Sequence, residues 1–182
     1  MRLDRPEAPH PHDALPVVPS FSVESDSLEH GEPQGLAHAH EGAGGQNVSP
    51  HLRWWGFPAE TRSFAVTCFD PDAPTGSGWW HWLVIDIPAT VTELEPGAGD
   101  PDKDALPPGA VQIRNDYGEP SYGGSSPPPG DRPHRYVYTV HALDVPKLGI
   151  GPDVTAAICG FNLTAHTLAR ASVTTTFQVK SI

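Results

Sequence analysis

The stretch DPDAPTGSGWWHWLVIDIP, residues 70–88, puts an aspartate at the end of one apolar run and a histidine at the start of the next. Carboxylate and imidazole are the groups of acid–base catalysis, metal ligation and ligand binding, so Asp70 and His81 are the first candidates for chemistry. Pro71 and Pro74 turn the chain sharply, because each ring fixes φ. Either X–Pro bond could be cis, a feature typical of turns. In the plain reading Asp70 and Asp72 only accept backbone N–H groups within that turn. His81 stands between Trp80 and Trp82, and a neighbouring indole should shield it from water. A buried imidazole needs partners on both nitrogens. An aspartate on the adjacent strand end, Asp70, would fix one tautomer, raise the pKa and leave the other nitrogen for a ligand. A core histidine satisfied by backbone is the alternative.

The second stretch is YGGSSPPPGDRPHRY, residues 122–136. Gly123 and Gly124 permit close backbone approach, and Ser125 and Ser126 offer N–H and hydroxyl donors. Three prolines beginning at Pro127 add a stiff wall without competing donors. His134 and Tyr136 are two apart on a strand and share a face, which sends Arg135 the other way, towards solvent or a salt bridge. Backbone N–H, imidazole and phenol together would make an anion nest. Asp70, His81, His134 and the serines also invite a hydrolase reading. Neither serine lies in a GxSxG elbow, however, and both lead into prolines, where backbone donors are the more natural contribution. Binding is therefore favoured over acid–base catalysis. His38 and His40 would share a side if extended, but without a third close ligand no specific metal site is expected. His166 reads as packing or capping.

The elements that position these residues are short strands. FSVES opens the ordered domain near residue 20; LRWWGF (52–57), SFAVTCFD (63–70), HWLVIDIP (81–88), AVQIRND (110–116) and HRYVYTVHALD (134–144) follow. SFAVTCFD is apolar on both faces and should be central. One late helix is expected near 153–171, with Asp153 as a possible cap and Gly160 splitting it; SVTTTFQV (172–179) then returns to a sheet. The loops EPGAGDPDKDALPPG and EPSYGGSSPPPGDRP are too long for simple hairpins. Strands with little helix alternation predict an antiparallel all-β, sandwich-like domain.

Composition agrees with this. The chain has 182 residues, 22 prolines and 18 glycines, which disfavour long helices. Residues 1–18 read as a flexible Pro/His-rich tail and 19–182 as a single domain. The net charge of −11 argues against a general nucleic-acid or anionic-membrane surface. No apolar run approaches the ~20 residues of a membrane span, and the start lacks the apolar core of a secretory signal. Cys68 and Cys159 do not make a disulfide framework, so a cytoplasmic setting is expected. Five tryptophans, Trp54 and Trp55 among them, suggest an aromatic rim or an interface.

Taken together, DPDAP at 70–74, the tryptophan-histidine-aromatic step at 80–82 and GxxPPxGxxxHRY at 124–136 resemble the phosphatidylethanolamine-binding protein (PEBP) or Raf-kinase-inhibitor-like family, in particular its small bacterial branch. GGQNVSPHLRW, FPAETRSFAV and IRNDYGEPSYGG are similar to its connecting segments, and the likeness runs from about residue 20 to 179. The resemblance implies two antiparallel sheets with a few short helices. It implies a pocket for phosphate, phosphorylated head groups or similar small anions, lined by Asp70, His81, His134 and Tyr136. Ala73, Pro74, Ser125, Ser126 and Pro127 would shape its wall beside Trp80. It also implies homodimers and, in some members, inhibition of a kinase or protease partner; no cofactor is implied. Where many bacterial relatives carry GxCPP, this chain has Ser125–Ser126–Pro127–Pro128, so thiol chemistry is not expected there.

Overall fold

The computed structural model describes residues 3–181. Eight strands and one helix follow in chain order. They are β1 (Ser22–Glu24), β2 (Leu52–Trp55), β3 (Ser63–Asp70), β4 (Trp79–Pro88), β5 (Glu93–Leu94), β6 (Val111–Gln112), β7 (His134–Leu143), α1 (Ala156–His166) and β8 (Thr167–Phe177). Single 3-10 turns lie at Leu36–His38 and Glu41–Ala43. The strands form two antiparallel sheets, ordered β1-β2-β5 and β6-β4-β3-β7-β8. The all-β fold expected from the strand pattern is the fold observed.

β3 is central because both its faces are apolar. Phe64, Val66 and Cys68 join Trp54, Trp82, Tyr136 and Tyr138 in the core between the sheets. Ala65, on the other face, packs with Leu83, Ile85, Cys159 and Leu163 beneath α1. Strand alternation thus divides the protein into an inter-sheet layer and a helix-covered layer.

β4 breaks that alternation at His81. Cys68 pairs with Trp82 but Phe69 pairs with Trp80, leaving His81 as the extra residue of a β-bulge. A bulge re-aims side chains and bends its strand. Trp80 therefore turns to the helix-covered face, with its ring 4.6 Å from Phe69, while His81 faces the same side as Tyr136, 5.1 Å away ring to ring.

The helix differs from its expected span. It begins at Ala156 with Thr155 as its cap, the Thr155 side chain accepting from the Ile158 N–H, and not at Asp153. Asp153 pairs with Arg114 instead. Gly160 leaves the helix unbroken; a Cβ there would meet only Trp80, at 3.8 Å, so the glycine sits where α1 lies close to β4. β8 starts directly at Thr167, inside the span expected to be helical and ahead of the expected start at residue 172, with Thr167, Ala169, Arg170 and Ala171 already paired to β7. β5, with two residues, was too short to read.

Candidate functional site

The turn after β3 is tied down by its carboxylates. Asp70 accepts the Asp72 N–H at 2.7 Å, the local bond that aspartates make in turns. Asp72 receives a two-toothed fork from Arg135, with Nε and Nη2 each at 2.8 Å, and the Arg135 backbone N–H as well. Burial alone would raise the Asp72 pKa, but this fork outweighs it and holds the carboxylate below the usual range. Arg135 thus does point away from Tyr136, into a salt bridge. No peptide bond is cis among the described residues.

Asp70 orients His134 rather than His81. The His134 Nδ1 lies 2.8 Å from Asp70, and its Nε2 lies 2.9 Å from Asp131. All three side chains are almost wholly buried. Burial pulls the His134 pKa down, but two carboxylates hydrogen-bonded to one ring raise it overall. Asp131 is held well below the ordinary carboxylate range, burial being outweighed by Arg5, His134 and the Arg132 N–H. Arg5 reaches Asp131 at 2.7 Å and also donates to the Asp72 carbonyl. The N-terminal segment therefore lies against β7 and its approach loop, with Arg132 bonded to the Arg5 and Pro6 carbonyls and Arg135 to that of Ala8.

His81 is held by backbone. Its Nδ1 is 2.7 Å from the Gly123 carbonyl. A carbonyl only accepts, so Nδ1 carries the proton and neutral His81 presents a bare Nε2. Burial lowers its pKa further than the Asp70 charge and the Gly123 and Gly124 carbonyls raise it. Beside it the Tyr136 hydroxyl is buried and makes no hydrogen bond among the described residues; the Trp79 indole N–H is likewise without a partner. Burial, with the nearby Asp70 charge, pushes the Tyr136 phenol up, so it stays a donor. Tyr117 roofs the group, its ring 5.2 Å from Trp79 and 5.7 Å from His81, stacked 4.9 Å from His40. An Asx turn at Asn115 and the pairing of Asp116 with Trp80 place Tyr117 there.

The structure thus brings Asp70, His81, His134 and Tyr136 together, but in two sets. Asp70 and His134 form a closed ion-pair chain with Asp131; His81 and Tyr136 keep unspent hydrogen-bonding capacity. Trp80 is on the opposite face, and Trp79 takes the place expected for it. Trp82 is a core residue whose N–H donates to Gln112. Ala73 and Pro74 lie half-buried in the turn, and Ser126 is exposed.

The glycine-serine wall differs from an anion nest. The Gly123 N–H donates to the His81 carbonyl, that of Gly124 to Asn47, and that of Ser125 to His38. The Ser125 hydroxyl receives Gln34, and Pro127 is buried. Gly124 is needed because the backbone of residues 39–40 crosses there: a Cβ would fall 2.3 Å from Ala39 C and His40 N. These residues close the wall with their own bonds. His38 is buried on the Val48 carbonyl, and His40 accepts the Gly42 N–H, so the pair is occupied in shaping this loop.

Sequence reasoning missed Trp79, Tyr117, Asp131 and Arg5. Trp79 was within reach, since it alternates with His81. Asp131 lies in the quoted GDRPHRY. Tyr117 and Arg5 depend on loop paths that no periodicity encodes.

Comparison with known proteins fits this architecture. Residues 24–178 match the family model described as phosphatidylethanolamine-binding protein. Over 163 residues, 88% of this chain and 89% of the relative, the sequence is 47% identical to the UPF0098 protein YbcL of Escherichia coli. It is 46% identical to YbhB of the same organism, over 85% of this chain and 98% of that one. The crystal structure of E. coli YbcL, described as a new member of the mammalian PEBP family, superposes with a TM-score of 0.85 over 88% of this chain and 99% of that one. A PEBP homologue from Chlamydia trachomatis gives 0.73 at 28% identity, over 87% and 97%. No helix among the described residues is long and apolar enough to cross a membrane. With the fold, the DPDAP and HRY segments and a family match across most of its length in agreement, this chain belongs to the phosphatidylethanolamine-binding protein family.

Proposed function

We propose that the protein is a binding module for a small anion or phosphorylated head group, held by the Tyr136 hydroxyl, His81 Nε2 and the Trp79 N–H. The observation that carries this reading is the Tyr136 hydroxyl, buried and unpartnered beside the one free nitrogen of His81. An unsatisfied buried hydroxyl costs about 1–3 kcal/mol, and a ligand oxygen would remove that cost. Backbone donors of residues 123–125 are already committed, so recognition rests on side chains. The Asp70–His134–Asp131 chain acts behind the site, fixing β3, β7 and the loop before β7.

Binding is favoured over hydrolysis because neither serine of the wall is poised for attack. The Ser125 hydroxyl is bonded to Gln34 on the far side of the wall, and Ser126 points to solvent. Tyr117, 37% exposed, is the side chain an entering ligand has to slide beneath.

Calorimetric titration with phosphate, phosphoethanolamine and sulfate tests the reading, on wild type and on Tyr136→Phe and His81→Ala. Saturable binding weakened in both variants supports it. Binding unchanged in both, or ester turnover that depends on His81, overturns it.

A further inference from the structure

The helix-covered face of the five-stranded sheet holds a cavity of about 420 Å³, away from the site above. That volume lies within the ~300–1,000 Å³ usual for small-molecule sites. Its walls are apolar: Phe69, Trp80 and Val137 from the sheet, Leu163 from α1 and Leu15 from the N-terminal segment. Phe161 also lines it while remaining 76% exposed, which puts this ring at the mouth.

Two histidines and four threonines complete the lining, and all six are uncharged. His141 spans Thr67 and Thr167 with its two nitrogens, each 3.3 Å away, and burial lowers its pKa to about 3. His12 contacts Thr139, and burial and the Arg170 charge lower its pKa to about 4. Both imidazoles are neutral at pH 7. Arg170 is the exception. It lies opposite His141 on β8. Its guanidinium donates only to the Pro16 carbonyl and meets no carboxylate among the described residues. In a chain with twice as many acids as Lys and Arg, a half-buried cation without a counter-ion beside an apolar cavity is chemically specific. It fits a ligand with an apolar body and one anionic end.

We propose that this cavity binds an amphiphilic carboxylate, with a single alkyl chain between α1 and the sheet and its carboxylate on Arg170. The neutral histidines and threonines line the chain without repelling it, and the Leu15–Val18 segment closes over it.

The test is calorimetric titration of the full chain with decanoate, and with decanol as the uncharged match. Arg170→Met removes the cation; its decanoate affinity should fall about ten- to a hundredfold, the worth of a hydrogen bond to a charged group. Its decanol affinity should hold. Gly160→Leu fills the cavity from α1, where the new Cβ makes only an ordinary contact, and should abolish binding of both. His81→Ala should bind decanoate as wild type does, which separates this site from the anion site. Absence of saturable decanoate binding to wild type would overturn the proposal. So would decanoate binding that survives Gly160→Leu, or that is as tight in Arg170→Met as in wild type. Thermal melting checks that each variant is folded.

Discussion

Sulfate affinity should fall as pH rises from 6.5 to 8.5, and His81 should be the cause. The Gly123 carbonyl, 2.7 Å from Nδ1, keeps the single proton of neutral His81 on that nitrogen. Its Nε2 then presents a lone pair to the ligand and repels an oxyanion. To bind sulfate, which carries no proton of its own in this range, the ring must take up a second proton. Burial lowers the pKa of the free site below the ordinary 6.5, so above that value each pH unit adds about 1.4 kcal/mol to the cost of charging it. Affinity should fall about tenfold per unit, or about a hundredfold over the interval, until the bound-state pKa is passed. Tyr136 stays protonated throughout because its pKa is raised. His134 also has a raised pKa, so whatever charge it loses within the interval acts in the same direction. His81→Gln separates the two, since its amide donates at every pH and His134 is untouched. Calorimetry should show a slope near −1 in log affinity for wild type and a nearly flat profile for the variant. A flat wild-type profile, or an unchanged slope in His81→Gln, would refute the assignment of the bare Nε2.

Tyr136→Phe should weaken anion binding while leaving stability unchanged or raising it by up to about 1–3 kcal/mol, because it removes an unpartnered buried hydroxyl; melting and titration on one sample decide. Asp70→Ala should cost about 1.5–3 kcal/mol, since it removes one of the two carboxylates bonded to the buried His134 ring and leaves Asp131 in place, and denaturant unfolding measures it. In the pH dependence of stability, His81 and His134 act with opposite signs. The raised His134 pKa stabilises below about 6.5 and is lost as pH rises through the folded value, whereas the lowered His81 pKa destabilises as pH falls through 6.5. Melting of His134→Gln against wild type should therefore differ more at pH 6 than at pH 9. Gly124→Ala should destabilise by about 2 kcal/mol or more, because its Cβ would meet backbone and not a yielding side chain.

The strands were legible because their signal is local. SFAVTCFD, apolar on both faces, became β3 over the expected residues, and HRYVYTVHAL became β7. The residues that gather in the site were legible from motif and type, but their partners were not. Position along the chain points Asp70 to His81 because both flank one turn; the structure gives Asp70 to His134, since β7 lies beside β3 and brings His134 to the strand end. Adjacency puts Trp80 beside His81, but one bulge residue turns Trp80 to the opposite face. The free N–H groups expected at Ser125 were spent on the 36–47 loop, whose path depends on long-range contacts. Alternation reads a strand well and fails at its irregularities, and the candidate site lies at one of them, the bulge at His81.

The position of Arg5 leads to a last prediction. Asp70 and Asp131 bring two negative charges behind the proposed anion site, and His134, with a carboxylate on each ring nitrogen, returns one positive charge when protonated. Without a further cation the chain of groups would be net −1 beside the Tyr136 hydroxyl. Arg5, 2.7 Å from Asp131, makes it neutral. A single uncompensated charge within several ångströms is worth on the order of 1–2 kcal/mol at the effective dielectric of a partly exposed site. Arg5 is 21% exposed, so solvent screening takes part of that. Arg5→Ala should therefore weaken sulfate binding about three- to tenfold at low salt, and the deficit should shrink as ionic strength rises. The same variant should unfold at higher pH on acidification, because a depressed Asp131 pKa stabilises the fold above about 3.8 and is lost as pH falls through it. If Arg5 instead blocks the ligand's path, Arg5→Ala will bind sulfate more tightly, and the charge count above is not what governs the site.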